Sequence, residues 1–141
     1  MLVREVMSTD LVTLPSDATL RDAAVAMLRN RVGSVVVCAA GAPTGVVTES
    51  DALDAAVRAG RPLGEVPVDR VVEGFVVTVT ADATTRKAVA LMRDHDVKKL
   101  PVLDGVDLVG IVTMTDLVYA QPDLLKERRR IERRRRDYPT E

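Results

Sequence analysis

Two seven-residue stretches of this chain share one pattern: a glycine, two apolar residues, a threonine, two variable residues and an aspartate. They are Gly45–Asp51 (GVVTESD) and Gly110–Asp116 (GIVTMTD). Because an ionised aspartate offers only acceptor oxygens, each carboxylate could bind neighbouring hydroxyl donors through charge-assisted hydrogen bonds. A Thr-x-x-Asp sequence is also typical of an ordinary helix cap that needs no ligand. Both roles can coexist at one position.

The polar side chains within the two motifs are expected at or near helix N-termini; they are Thr48, Ser50, Thr113 and Thr115. Free backbone N–H groups and the helix dipole favour an anion such as phosphate at that position. Lys98 and Lys99 add two adjacent positive charges. These lysines either lie near a bound anion or belong to an exposed turn.

An internal repeat relates the two motifs. When the sequence is shifted by 65 residues, Val3–Leu53 aligns with Val68–Val118 without a gap, and 16 of the 51 pairs are identical. Self-similarity of this length indicates two copies of one structural unit. A unit of about 60 residues buries its apolar surface poorly on its own. We therefore expect the copies to pack through their sheets around a pseudo-twofold axis, with a shared core and a cleft on each side.

Each copy is predicted to fold in the order strand, helix, strand, strand, helix. One apolar helical face comprises Leu20, Ala23, Ala24, Met27 and Leu28, in a helix that Thr19 and Asp22 would cap at its start. A later helix, Asp51–Ala59, would end at Gly60. The predicted strands are Leu11–Leu14, Val35–Cys38 and Gly45–Thr48 in copy one, and Val76–Val79, Leu100–Leu103 and Gly110–Thr113 in copy two.

Composition limits the classes of protein. Cys38 is the only cysteine, which excludes an intrachain disulfide and a cysteine-based zinc site, so no metal is expected. We find neither an apolar run of membrane-spanning length nor a signal peptide, and we expect a cytoplasmic protein. Motifs such as GxxxxGK[ST], HExxH and GxSxG are missing, so catalysis is not expected.

The repeated motifs, together with the matching segments LPSDATLRDAAVAM and VTADATTRKAVALM, resemble a tandem pair of CBS domains, also called a Bateman module. The resemblance covers roughly residues 1–120. It implies an α/β fold of two β-α-β-β-α repeats, at residues 1–60 and 61–121. A basic C-terminal helix would follow in a tail, residues 122–141. We expect a stand-alone module.

The resemblance further implies that the module binds adenosine ligands (AMP, ADP, ATP or S-adenosylmethionine) in two clefts, with the motif aspartate on the ribose hydroxyls. Each cleft combines the motif of one repeat with the first strands of the other. Cleft one would then comprise Val46, Thr48, Ser50, Asp51, Val76, Val77, Val97, Lys98 and Lys99. Cleft two would comprise Leu11, Val12, Val32, Gly33, Ser34, Ile111, Thr113, Thr115 and Asp116.

The two lysines predict that cleft one prefers phosphorylated nucleotides, because Gly33 and Ser34 occupy the equivalent positions of cleft two. Ser50 lies where many relatives carry a basic residue, which partly offsets this charge. The ligand would act as a regulatory signal to a separate, unknown partner protein, and the resemblance implies a homodimer. An alternative function is nucleic-acid binding through the arginine-rich stretch Lys126–Arg136, which could equally be a solvated helix.

Overall fold

The computed structural model describes residues 1–72 and 76–120. Both copies have the predicted order of elements. Copy one contains β1 (Thr13–Pro15), α1 (Leu20–Asn30), β2 (Ser34–Ala39), β3 (Ala42–Thr48) and α2 (Glu49–Ala59). Copy two contains β4 (Val79–Thr80), α3 (Thr85–His95), β5 (Lys99–Asp104), β6 (Asp107–Thr113) and α4 (Met114–Ala120). The predicted basic tail, residues 122–141, lies outside the described residues.

Each copy forms a three-stranded sheet of the same topology. The first strand runs parallel to the second, and the second runs antiparallel to the third. The registers correspond as well: Leu14 pairs with Val37 in copy one, and Val79 pairs with Val102 in copy two, 65 residues later. The internal repeat of the sequence is therefore a repeat of strand pairing.

The helix ends follow the sequence closely. Thr19 and Asp22 form the predicted capping box at the start of α1, and Gly60 ends α2 in the left-handed region with a φ of 59°. Helix α2 begins at Glu49, two residues earlier than predicted, because Thr48 is its N-cap and Asp51 is the third residue of its first turn. The motif thus spans the junction between a strand and a helix.

The two copies exchange their leading segments. Val3 is buried in the apolar core of copy two, and Val68 is buried in the core of copy one. Symmetric backbone hydrogen bonds hold both segments: Val3 N donates to Ala83 O at 2.8 Å, and Val68 N donates to Ala18 O at 2.9 Å. Each core is therefore complete only when the other copy supplies its first residues.

This exchange shortens the first strand of each copy. The predicted strand Leu11–Leu14 is wrong in its bounds, since pairing covers Thr13–Pro15; of the predicted strand Val76–Val79, only Val79 pairs, followed by Thr80. Ser8 still pairs with copy two, whereas Thr13 pairs with copy one. Between them, Val12 O still accepts a hydrogen bond from Val36 N at 2.9 Å, and the residues before it connect the two copies.

The apolar core is divided, because the described residues form two apolar clusters, one in each copy. Val35 and Val37 of β2 belong to the cluster of copy one. Val36 between them points to the opposite face and is buried as well, as is Pro101, its equivalent in β5. Strand β3 contacts both β5 and β6. The copies therefore pack through these second faces of their sheets.

Candidate ligand-binding clefts

The motif of copy one forms a complete cap on α2. Thr48 N donates to Asp51 Oδ2 at 2.9 Å, and Asp51 N donates to Thr48 Oγ1 at 3.1 Å. This satisfies two backbone donors at the helix start, as the ordinary capping interpretation predicted. The cap uses one oxygen of the carboxylate. Among the described residues, Oδ1 of Asp51 accepts no hydrogen bond, so an exposed acceptor remains at the helix N-terminus.

The motif of copy two repeats this geometry on α4. Thr113 N donates to Asp116 Oδ2 at 2.9 Å, and Asp116 N donates to Thr113 Oγ1 at 3.1 Å. The surroundings differ, because Asp116 is half-buried whereas Asp51 is exposed. The two motifs therefore share one local structure in two different environments.

A cavity of about 250 Å³ lies at cleft one. Six of the nine residues predicted for that cleft line it: Val46, Asp51, Val76, Val77, Val97 and Lys99. Val46 and Asp51 come from the motif of copy one, and the other four come from copy two. The structure thus brings together a valine-lined slot, one carboxylate and one ammonium group.

Three predicted residues of cleft one do not line this cavity. Thr48 is occupied by the cap, and Ser50 and Lys98 are exposed. The backbone of Lys98 still has a structural role, because its carbonyl accepts a hydrogen bond from Met114 N at 2.8 Å. Of the two adjacent lysines, only Lys99 contributes its charge to the wall of the cavity.

The cavity also includes four residues that the sequence interpretation missed: Thr44, Gly45, Val71 and Val72. The missed signal was the repeated glycine. A glycine within a strand often marks a close approach of another segment. A Cβ on Gly45 would overlap the side chain of Val72, and a Cβ on Gly110 would lie 2.8 Å from both Met7 Sδ and Ser8 O. Both motif glycines therefore make room for an exchanged leading segment.

Cleft two includes a strand-like contact. Ser8 N donates to Ile111 O at 2.9 Å, and Ile111 N donates to Ser8 O at 3.0 Å, so the outer backbone edge of Ile111 is already paired. The residues predicted for this cleft are half-buried except for Thr115, which is exposed. Val12 and Val32 pack against the core of copy one.

Lys99 is half-buried at the start of β5. Burial lowers the pKa of its ammonium group, while the negative charges of Glu49, Asp51 and Asp116 act in the opposite direction. A Cβ built on Gly33 would lie 3.3 Å from Lys99 Nζ. Lys99 therefore lines cleft one, and its ammonium also reaches a residue predicted for cleft two.

A second cavity, of about 560 Å³, adjoins the first along α2 and shares Asp51 and Val71 with it. Its charged lining is balanced, with the arginines Arg58, Arg61 and Arg70 opposite the acids Asp51, Asp54 and Glu65. Arg58 already pairs with Asp54 at 3.1 Å. This cavity extends the polar side of cleft one without adding net charge.

Metal sites and membrane-spanning helices are two further possibilities for residues 1–72 and 76–120. No group of three or more histidine, cysteine, aspartate or glutamate side chains is placed to hold a metal ion in this part of the chain. Over the same residues, no helix has the length and apolar character that crossing a membrane requires.

Comparison with known proteins identifies the fold. The CBS domain family model matches residues 3–58 and 63–123. The chain is 31% identical over 119 residues to a CBS domain-containing protein, YhcV, of Bacillus subtilis, covering 84% of each. Five other curated relatives are longer, and the chain spans 23% to 64% of their length.

Solved structures agree with this assignment. The CBS domain protein PAE2072 of Pyrobaculum aerophilum, complexed with AMP, matches with a TM-score of 0.78 and 29% identity, over 90% of this chain and 97% of that one. The CBS domain pair of protein MJ0100, in complex with 5′-methylthioadenosine and S-adenosyl-L-methionine, matches with a TM-score of 0.75 over 85% and 94%; at 20% identity, it speaks for the fold alone. The chain belongs to the CBS domain family and carries a tandem pair of CBS domains.

Proposed function

We propose that this CBS pair is a regulatory sensor that binds an adenosine nucleotide of the AMP type in cleft one and signals to a partner protein. The observation that carries the proposal is the composition of the cleft-one cavity. It combines apolar walls, one carboxylate with a free acceptor oxygen, and one ammonium group. Small-molecule sites are typically apolar pockets with a few placed polar groups.

Each part of the cavity suits one part of such a ligand. The valines from both copies offer an apolar slot for a flat base. Asp51 offers an acceptor to the ribose hydroxyls, and its capping bond to Thr48 N fixes the carboxylate before any ligand arrives. The N-terminus of α2 and the Lys99 ammonium both favour a phosphate nearby. The similarity to the AMP-complexed protein of P. aerophilum supports the same ligand class.

Binding would use contacts from both copies, since Val46 and Asp51 lie on one copy and Val76, Val77 and Val97 on the other. A ligand between them favours whichever arrangement of the copies gives it the better contacts. We therefore propose regulation rather than catalysis as the role of the chain. Binding of ADP, ATP and S-adenosylmethionine stays a prediction, and calorimetric titration of each ligand would rank their affinities.

The test is isothermal titration calorimetry of AMP against the wild-type chain and Asp51→Asn. Asparagine keeps an oxygen that can accept from Thr48 N but loses the carboxylate charge. A hydrogen bond to a charged group contributes about 1.5–3 kcal/mol, so AMP affinity should fall about ten- to a hundredfold. Asp22→Asn is the matched control, because Asp22 makes the same cap on α1 outside both clefts. Equal affinity in all three proteins would overturn the proposal.

A homodimer also stays a prediction. Helix α2 has no buried residue, and Leu53 and Val57, four residues apart, are 70% and 78% exposed. Asp54 and Arg58 lie beside them with opposite charges at the same spacing, so this face is self-complementary across a twofold axis. We propose that a second copy covers it. Leu53→Asp should reduce the mass measured by light scattering, whereas Val106→Asp, at an exposed hairpin residue, should leave the mass unchanged.

The alternative function, nucleic-acid binding through Lys126–Arg136, rests on residues outside the described part of the chain and stays a prediction. Such binding would weaken steeply as salt is raised. Deleting residues 126–141 should abolish it, and unchanged binding after the deletion would contradict it.

A further inference from the structure

One side chain touches both predicted clefts. Lys99 lines the cavity of cleft one, yet its Nζ also lies against Gly33, which the family resemblance assigns to cleft two. The equivalent position in copy one is Ser34, so the pseudo-twofold symmetry supplies no second ammonium group there. An exact repeat would place an ammonium group at this position in both copies or in neither. In this chain, only copy two has one there.

The charges around this lysine come from both motifs. Asp51, from the motif of copy one, and Asp116, from the motif of copy two, both interact electrostatically with the ammonium, as does Glu49. No ion pair within 4.0 Å holds Lys99 to a described acid. The long, flexible side chain is thus attracted from both sides and fixed by neither, which leaves it free to follow added negative charge.

We propose, on the basis of the AMP-type ligand proposed above, that Lys99 is a specificity-determining cation shared by the two clefts, so that an anionic ligand in one cleft weakens the binding of an anionic ligand in the other. A phosphate in cleft one draws the ammonium towards it and away from Gly33. Cleft two then lacks its positive charge when a second phosphate arrives. A neutral nucleoside makes no such demand, so its binding to the two clefts is independent.

This differs from a simple preference of cleft one for phosphate. If Lys99 served cleft one alone, removing its charge would affect only that cleft. If it is shared, removing its charge affects phosphate binding on both sides and also removes the coupling between them. Coupling of this kind is reciprocal by thermodynamic necessity, so either cleft can be filled first.

The experiment isolates each cleft with a motif variant. Asp116→Asn leaves cleft one intact, and Asp51→Asn leaves cleft two intact. Lys99→Gln is then added to each, with Lys98→Gln as the matched control, because Lys98 is an exposed neighbour that lines no part of the cleft-one cavity. AMP and adenosine are titrated into every variant by calorimetry.

We expect Lys99→Gln to weaken AMP about tenfold in both backgrounds, the loss of roughly one charge-assisted contact. Adenosine affinity should stay unchanged, and Lys98→Gln should have no effect on either ligand. If Lys99→Gln lowers AMP affinity only in the Asp116→Asn background, the proposal of a shared cation is overturned. It is also overturned if cleft two binds no AMP. Failure of AMP to bind the wild-type chain instead overturns the proposed function itself.

The coupling has a direct readout as well. In ¹⁵N-labelled protein, AMP added to the Asp116→Asn variant should shift the amide resonance of Gly33, because the ammonium leaves it. Adenosine should not shift this resonance, and Lys99→Gln should abolish the shift. A Gly33 resonance that responds equally to AMP and adenosine contradicts the proposal.

Discussion

The two clefts begin from the same motif and differ in what surrounds it. Both motif threonines and aspartates make the same reciprocal cap within 0.1 Å: 2.9 and 3.1 Å in each. Asp51 is exposed, whereas Asp116 is half-buried. The motif thus fixes a local geometry, and the segments packed around it decide how exposed its aspartate is.

The helices that follow the motifs differ in the same way. Helix α4 buries Leu117 and Val118 within the described chain, whereas α2, its equivalent in copy one, buries no residue. Ala52 of α2 is at the position equivalent to Leu117 of α4. Helix α2 therefore lacks the large side chain that would anchor it to its core. Copy one therefore has the more exposed motif aspartate and the more exposed outer helix.

The largest effect should come from the buried helix. Leu117 is fully buried, so Leu117→Ala should lower the free energy of unfolding by about 2–5 kcal/mol through lost burial and the cavity left behind. Leu53→Ala on α2 removes the same atoms from an exposed site and should change the stability of the monomer by less than about 0.5 kcal/mol. Chemical denaturation at low protein concentration measures both. Equal losses would show that the two helices are anchored alike.

Ligand stabilisation gives the next contrast. At a hundredfold excess over its dissociation constant, AMP should add about 2.7 kcal/mol to the free energy of unfolding of the wild-type chain. At the same AMP concentration, Asp51→Asn should lose about half of this gain or more, and Asp116→Asn should keep most of it. Thermal and denaturant unfolding with and without AMP measure the gain. The opposite order would place the tighter site in cleft two.

The motif glycines should respond unequally. In Gly110→Ala the new methyl group meets the backbone oxygen of Ser8, which cannot move without breaking its pairing to Ile111. We expect a loss of about 1–3 kcal/mol, as for overpacking of a tight site. Among the described residues, the methyl in Gly45→Ala meets the side chain of Val72, which can rotate more easily than a paired backbone can move. The loss should therefore be smaller, and the cleft-one slot should narrow.

Gly64→Ala is the control for both glycine variants, since the nearest atom to its Cβ is Arg21 Cδ at 3.9 Å. Its stability should stay close to that of the wild type. If Gly45→Ala proved the more damaging variant, cleft one would be the more tightly closed side, contrary to this account.

The smallest effect concerns the caps of α1 and α3. The hydrogen bond from the Thr19 backbone N–H, followed by that from its side chain, lowers the pKa of Asp22. A lowered pKa in the folded state means that Asp22 stabilises the fold above its unfolded pKa, about 3.9, and that this contribution is lost as the pH falls through the folded value. Lys87 replaces this acid in copy two.

The free energy of unfolding should therefore fall less steeply below about pH 4 in Asp22→Asn than in the wild type. Lys87→Gln should leave the pH dependence in that range unchanged. Unfolding measured between pH 2 and pH 6 separates the two variants. If Asp22→Asn had the same pH dependence of unfolding as the wild type, the Asp22 carboxylate would contribute nothing to stability in solution.

Much of the fold could be predicted from the sequence because the signals were local and repeated. The burial of Ala23 and Met27, the cap at Thr19 and the end of α2 at Gly60 depend on neighbours within a few residues, and the structure confirms them. The same spacing was wrong for Leu28, which is 79% exposed because the face that packs on the core is narrower than the predicted one. The exchange of Val3 and Val68 was missed, because the local sequence around an apolar residue does not indicate in which copy that residue is buried.

The same limit applies to the clefts. The residue types of the cleft-one slot followed from the family resemblance. Which of the two lysines lines the cavity depends on the direction in which each side chain points at the start of β5, and Lys98 and Lys99 point in different directions. The pairing of Ser8 with Ile111 depends on the path of the exchanged segment. Both features depend on contacts between segments far apart in the sequence, which local patterns do not reveal.

The most direct test of the central claim, that cleft one is the tighter site for an AMP-type ligand, is a titration of methyl-labelled wild-type protein with AMP followed by NMR. We expect the methyl resonances of Val46, Val76 and Val77 to shift first, and those of Ile111 and Val12 to respond only at higher AMP concentration. Shifts that begin at Ile111, or no shift at any of these methyl groups, would contradict it.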